Sequence, residues 1–267
     1  MTGIQSQSMR DALRRHWPEY LIEAAGLGLF MVSACLFATL LEHPGSPVRQ
    51  ALPDATFRRL LMGLAMGLTA AGIIYSPWGQ RSGAHINPAV TLTFLRLGKL
   101  KREDALFYAA AQFVGGLLGV VLSALVLQRA LAHPAVSFVA TVPGPTGAWV
   151  AFAAEAAISF GLVLTVLLVA SSRHPRLTGL CAAALVATWI SIEAPFSGMS
   201  MNPARTVASA LPSGIWTGAW IYFLAPPVGM LLGAQAFVVL TRGQAQHCAK
   251  LDHPPDVPCI FCGASAA

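Results

Sequence analysis

Two ten-residue stretches of this chain are near copies of one another, and their placement restricts the fold more than any other feature. Residues 82–91 read Ser-Gly-Ala-His-Ile-Asn-Pro-Ala-Val-Thr and residues 197–206 read Ser-Gly-Met-Ser-Met-Asn-Pro-Ala-Arg-Thr. Seven of the ten positions match to the letter or nearly so, at a spacing of 115 residues. Three long apolar segments separate the two boxes, and an odd number of membrane crossings turns the second copy upside down relative to the first. Each half carries three spans and one short piece in the same order, with an intramembrane glutamate (Glu23, Glu155) upstream of its box. Inverted repeats with interrupted helices at the midplane belong to transporter and channel architectures. A lone Asn-Pro-Ala is weak evidence, because Asn-Pro commonly opens a helix or a turn. Two inside the same Ser-Gly-x-x-x-Asn-Pro-Ala frame are specific.

The spans follow from hydropathy. Apolar segments run over 20–41, 60–75, 105–127, 149–170, 177–192 and 215–240, each close to the ~20 residues needed to cross the hydrocarbon core. Charged residues make up 10% of the chain, against about 25% in soluble domains. This excludes an ordinary cytosolic enzyme, a disordered chain and a disulfide-stapled secreted domain, while continuous apolar runs exclude the short alternating strands of a β-barrel. Two pieces, 89–95 and 204–211, are too short to span and each begins at an Asn-Pro. The expected fold is an all-α membrane protein of six transmembrane helices and two re-entrant half-helices. Residues 1–19 are expected to form a polar N-terminal arm rather than a signal peptide. Residues 20–240 form the membrane domain (repeats about 20–130 and 149–240), and 241–267 a Cys/His-rich tail.

With the N-terminus inside, Arg10, Arg14, Arg15, Arg81, Arg96, Lys99, Lys101, Arg102, Arg173, Arg176, Arg242 and Lys250 fall on the inner side. Arg49, Arg58, Arg59 and Arg129 fall outside, and Arg205 belongs to the second short piece. Positive residues favour the cytoplasmic side, so both termini are expected to be cytoplasmic in a cell membrane. The net charge of +6 is then an orientation signal. No basic stripe with interleaved aromatics points to nucleic acid.

Pro88 and Pro203 suit the first helical position, where the missing N–H costs nothing, and Asn87 and Asn202 are good N-caps. Each short piece therefore reads as a half-helix with its positive dipole end at the membrane centre. Two such ends repel cations, including a proton carried on a water chain. Side-chain N–H groups of Asn87 and Asn202, donating to one water, would turn its hydrogens outward and break a proton wire.

These boxes, with Glu23-x-x-Gly26, Ala111-Gln112-x-x-Gly115, Pro226 and Gly229, make residues 20–240 resemble the aquaporin family (major intrinsic proteins), as a water-type, bacterial-like member. The resemblance implies pore boxes at Asn87, Pro88, Ala89, Asn202, Pro203 and Ala204, and a homotetramer in which each protomer has its own pore. It implies that Glu23 and Glu155 accept hydrogen bonds from the nearby loops, the alternative being a proton relay in a proton-coupled carrier. His85 either lines the cytoplasmic vestibule or caps its loop. The implied selectivity filter is Arg205, Met199, Met66 and Ile190, or Thr188 in place of Ile190 if the alignment shifts near Glu193. Strict water channels of the family usually carry His on the fifth span, which is missing here. Thr206 and Ala210 stand where glycerol-conducting members usually have Asp and Lys, and Tyr222-Phe223 keeps the aromatic pair of water-type members. The expected activity is passive conduction of water across a lipid bilayer with exclusion of protons and ions, with no enzymatic step and no cofactor for transport. Glycerol, ammonia, hydrogen peroxide or metalloid acids are the alternative permeants.

The repeats Gly63-x-x-x-Gly67, Gly115-x-x-x-Gly119 and Gly229-x-x-x-Gly233 permit close helix contact, expected mostly within a protomer. The tail departs from the family. Cys248, His253, Cys259 and Cys262 have the chemistry of a Cys₃His zinc site, with His247 as a substitute ligand. The alternative is a tail with incidental thiols. Cys35 and Cys181 lie in spans and are expected to pack as small apolar residues.

Overall fold

The computed structural model describes residues 8–242, 248–254 and 256–263. Six helices are long and apolar enough to cross a membrane: α1 (Met9–Glu42), α2 (Ala55–Tyr75), α4 (Arg102–Leu127), α5 (Ala148–Ala170), α6 (Thr178–Ile192, which spans together with the 3₁₀ turn Pro175–Leu177 before it) and α8 (Ala219–Leu240). The two half-helices are α3 (Pro88–Arg96) and α7 (Pro203–Ser213). Among the described residues there is no strand. The protein is an all-α, multi-pass membrane protein.

Helix ends differ from the hydropathy limits where polar chemistry extends them. Asp54 caps α2 by accepting from the Phe57 N–H at 2.6 Å, so the helix starts five residues before the apolar run. The first helix starts at Met9, within the segment expected to be a polar arm. This polar part is held by side chains rather than by lipid: His16 meets Asp104 at 2.7 Å, Tyr20 donates to Asp104 at 2.6 Å, and Arg81 donates to Glu19 at 2.9 Å. On the opposite face of the bundle, Arg58 is buried and forks onto the Glu42 carboxylate, with two bonds of 3.1 Å. That pair ties the start of α2 to the end of α1.

Helix pairing follows the repeat. The first helix packs on α4 and α5 packs on α8, equivalent pairs in the two halves, while α2 packs on α6 across the halves. The half-helices stitch the halves together, since α3 contacts α8 as well as α4, and α7 contacts α4. Each glycine repeat sits in one of these pairs. A Cβ at Gly63 or Gly67 would meet the backbone of α6 at Ala187 or Ala183; at Gly115 or Gly119, that of α1 at Ala24 or Gly28; at Gly229 or Gly233, that of α5 at Ala156 or Phe160. All three glycine repeats thus work inside one protomer. Without a hydrophobic force between helices in lipid, such backbone proximity and its van der Waals contact hold the pairs. Large apolar side chains such as Leu68, Leu125 and Val126 face outward, as a bilayer requires.

Candidate functional site

Both boxes enter α3 and α7 through a sharply bent backbone. Gly83 (φ +97°) and Gly198 (φ +79°) are left-handed, and so are the side-chain-bearing residues Ala84, Ile86, Met199 and Met201, at φ between +42° and +53°. Left-handed backbone costs such residues roughly 1–2 kcal/mol each and persists only where surroundings over-determine it. The two glutamates do this. Buried Glu23 accepts from Ser82 Oγ (2.8 Å) and the His85 N–H (3.0 Å) on one oxygen, and from the Ile86 N–H (2.6 Å) and Gln112 Nε2 (2.7 Å) on the other. Buried Glu155 accepts from Ser197 Oγ (2.8 Å), the Ser200 N–H (2.6 Å) and the Met201 N–H (2.7 Å).

The asparagines face each other across the junction. Asn87 Oδ1 accepts from the Ala89 N–H, and Asn202 Oδ1 from the N–H groups of Ala204 and Arg205. Their amide nitrogens cross over: Asn87 Nδ2 donates to the Met201 carbonyl at 2.7 Å and Asn202 Nδ2 to the Ile86 carbonyl at 2.8 Å. Each NH₂ carries two hydrogens, so one locks the opposite loop and the second remains for the cavity. The caps are therefore more fully engaged than the sequence suggested.

A cavity of about 500 Å³ runs past both asparagines. On the α1–α2 loop side it is lined by Glu42, Arg59 and Val139, then by Met66, Ile190, Met199 and Arg205; on the side of the termini it is lined by His85, Phe94, Leu167 and Leu251. Arg205 Nη1 is buried without a hydrogen-bond partner among the described residues. Ile190 lines this cavity, whereas Thr188 is exposed on the outer face and donates back to the Ala184 carbonyl at 2.8 Å. Neither Glu23 nor Glu155 is among the lining residues.

The Major intrinsic protein family model matches residues 12–237. The chain belongs to the major intrinsic protein family. Its relatives include Aquaporin NIP2-3 of Zea mays, 38% identical over 201 residues that cover 74% of this chain and 64% of that protein. Aquaporin NIP2-1 of Oryza sativa subsp. japonica is 36% identical over 185 residues, covering 68% of this chain and 59% of that one. The matches thus span less than two thirds of these relatives' length. The fold is similar to the X-ray structure of the aquaglyceroporin from Plasmodium falciparum, with a TM-score of 0.68 and 20% identity over 83% of this chain and 95% of that one.

This major intrinsic protein has a tail that folds back onto the first box. His85 is buried; its Nε2 pairs with the Ala249 carbonyl at 2.6 Å and its Nδ1 with Thr91 Oγ1 at 3.2 Å. Its ring stacks with Phe94 and with Phe261, at 4.9 and 5.7 Å between centroids. Cys248, His253, Cys259 and Cys262 converge, their ligand atoms all within 4.8 Å of one another, and can hold a metal ion. The Cys248 and Cys259 sulfurs are 3.2 Å apart. That contact pushes the Cys259 thiol down and the Cys248 thiol up. His247 lies outside the described residues. Cys35 is buried and Cys181 partly so, both unbridged.

Other functional residues were open to the repeat but not drawn from it. Tyr108 donates to the Ser82 carbonyl at 2.7 Å and Tyr222 to the Ser197 carbonyl at 2.5 Å, equivalent bonds in the two halves. Leu251 on the cavity wall had no signal, because nothing in local sequence places a tail residue beneath a loop 168 positions earlier.

Proposed function

We propose that this protein is a passive channel conducting water down an osmotic gradient while excluding protons and ions. The observation that carries this reading is the meeting of the Asn87 and Asn202 amides with an unpartnered Arg205 donor along one cavity whose remaining wall is mostly apolar. Such a wall offers an ion nothing in exchange for its hydration shell, and the converging positive ends of α3 and α7 oppose cations. A water molecule loses less, because the amide and guanidinium N–H groups replace its lost partners. A carrier that relays protons through Glu23 and Glu155 is disfavoured, since both carboxylates are spent on their loops and stand off the cavity.

Met66, Ile190, Met199 and Arg205 form the filter in this reading. Ile190 in place of a polar fifth-span residue, beside two pliable thioethers, supports a second permeant class of small neutral solutes such as glycerol. Both termini are cytoplasmic in a cell membrane, in keeping with the twelve-to-four bias of basic residues, and four copies assemble with one pore each. Transport needs no cofactor; the tail binds structural zinc through Cys248, His253, Cys259 and Cys262. Stopped-flow light scattering of proteoliposomes, kept in a membrane-permeant zinc chelator, tests the channel with sucrose and then glycerol. Shrinkage faster than in empty vesicles and insensitive to pH is expected. Shrinkage at the empty-vesicle rate, or solute uptake driven by a pH gradient, overturns it.

A further inference from the structure

We propose that the tail is a zinc-stapled cap that closes the pore at the mouth facing the termini, and that removing the metal opens it. The inference rests on the channel reading above and adds its regulation. The four ligand atoms already stand as a metal would gather them. Tetrahedral zinc with Zn–S of about 2.3 Å and Zn–N of about 2.0–2.1 Å sets ligand separations of roughly 3.5–3.8 Å in a Cys₃His set. Here Cys248 and Cys259 are 3.2 Å apart, His253 Nε2 and Cys262 Sγ are 3.2 Å apart, and all four lie within 4.8 Å.

The ligands bracket the residues that meet the pore. Between Cys248 and His253, the Ala249 carbonyl pairs with His85 and the Leu251 N–H donates to the Gly83 carbonyl at 3.2 Å. Leu251 itself is buried and lines the cavity. Next to Cys262, Phe261 stacks on His85 with an interplanar angle of 9°. Gln80 donates to Asp252 at 2.8 Å, and buried Lys250 donates to the Pro258 carbonyl at 2.9 Å, closing the loop on itself. The approach is close enough that a Cβ at Gly83 would stand 3.0 Å from the Ala249 oxygen and 3.1 Å from the Phe261 ring. Metal-free, the loop keeps its bonds to His85, Gly83 and Gln80, but its four ligand side chains are joined to one another only by thiol hydrogen bonds, which are weak. Metal-bound, it is one unit whose docking face is Ala249, Leu251 and Phe261.

The test uses the full-length protein in proteoliposomes, with elemental zinc analysis, stopped-flow water permeability and hydrogen exchange of residues 248–262. One zinc per chain and low permeability are expected as purified. A docked population of about ten to one makes zinc removal worth about a tenfold rise in water permeability. Added zinc should reverse the rise in the parent but not in Cys259→Ser/Cys262→Ser. Leu251→Ala should keep its zinc and conduct without chelation, which separates the stopper from the staple. Absence of zinc in the parent overturns the proposal, and so does equal permeability with and without zinc. If no form conducts, the channel reading fails with the gate; exchange protection of the tail that drops on zinc removal would then still support the cap, and unchanged protection would sink it.

Discussion

The two box loops are built alike and differ where they meet the cavity. Ser82 and Ser197 both donate to a glutamate and both have their carbonyls held by a tyrosine. Thr91 pairs with His85 and Thr206 with Ser200, at equivalent positions of the copies. Even the covering repeats: Val142, in the loop between the halves, lies over Gly198, as Ala249 lies over Gly83. The differences are Ala84 against Met199, His85 against Ser200, Ile86 against Met201 and Val90 against Arg205, with Gln112 bonding Glu23 and, among the described residues, no such amide on Glu155. The scaffold is therefore duplicated and the chemistry is not. The second loop is covered by chain between two spans, the first by a segment that follows the last span.

That comparison can be broken first at its braces. Glu23→Ala strands donors of Ser82, His85, Ile86 and Gln112, and Glu155→Ala those of Ser197, Ser200 and Met201. At about 1–3 kcal/mol for each buried group left unsatisfied, both variants should lose several kcal/mol, and thermal unfolding in detergent should rank Glu23→Ala as the worse. The reverse order would show that the halves are not braced by the same bonds. Arg205→Val makes the second loop resemble the first at that position. Loss of a charged donor, about 1.5 kcal/mol, should raise the glycerol-to-water permeability ratio by about tenfold in the chelated protein. Tyr108→Phe and Tyr222→Phe each remove one equivalent hydrogen bond and should cost about 1 kcal/mol apiece, with melting shifts that match each other. Thr188→Val, on the outer face, should stay within about 0.5 kcal/mol and leave permeation unchanged; a change in selectivity there would move the fifth-span filter position away from Ile190.

Six spans, two half-helices and the inversion were legible because hydropathy and a close local repeat report them directly. The glycine spacings were legible for the same reason, as each marks one face of a helix. The polar turns of α1 before Tyr20 were not, since they are fixed by Asp104 and Arg81 from elsewhere in the chain. Nor were the crossed amides: Asn87 was readable as a cap, but its bond to Met201 joins residues 114 positions apart. The tail's Cys/His cluster was visible in its spacing, whereas its seat under His85 rests on shape and on contacts spanning 164 positions, which no periodicity encodes.

The glycine contacts carry a mechanical consequence. With backbone pressed on backbone in the α1–α4, α5–α8 and α2–α6 pairs, the bore cannot dilate by sliding helices without giving up the contacts that hold each pair together. Lateral stretching of the bilayer therefore has little purchase on the width of the conduit. Adjustment of flow falls to parts carried outside the paired helices, a stiff pipe fitted with a separate valve.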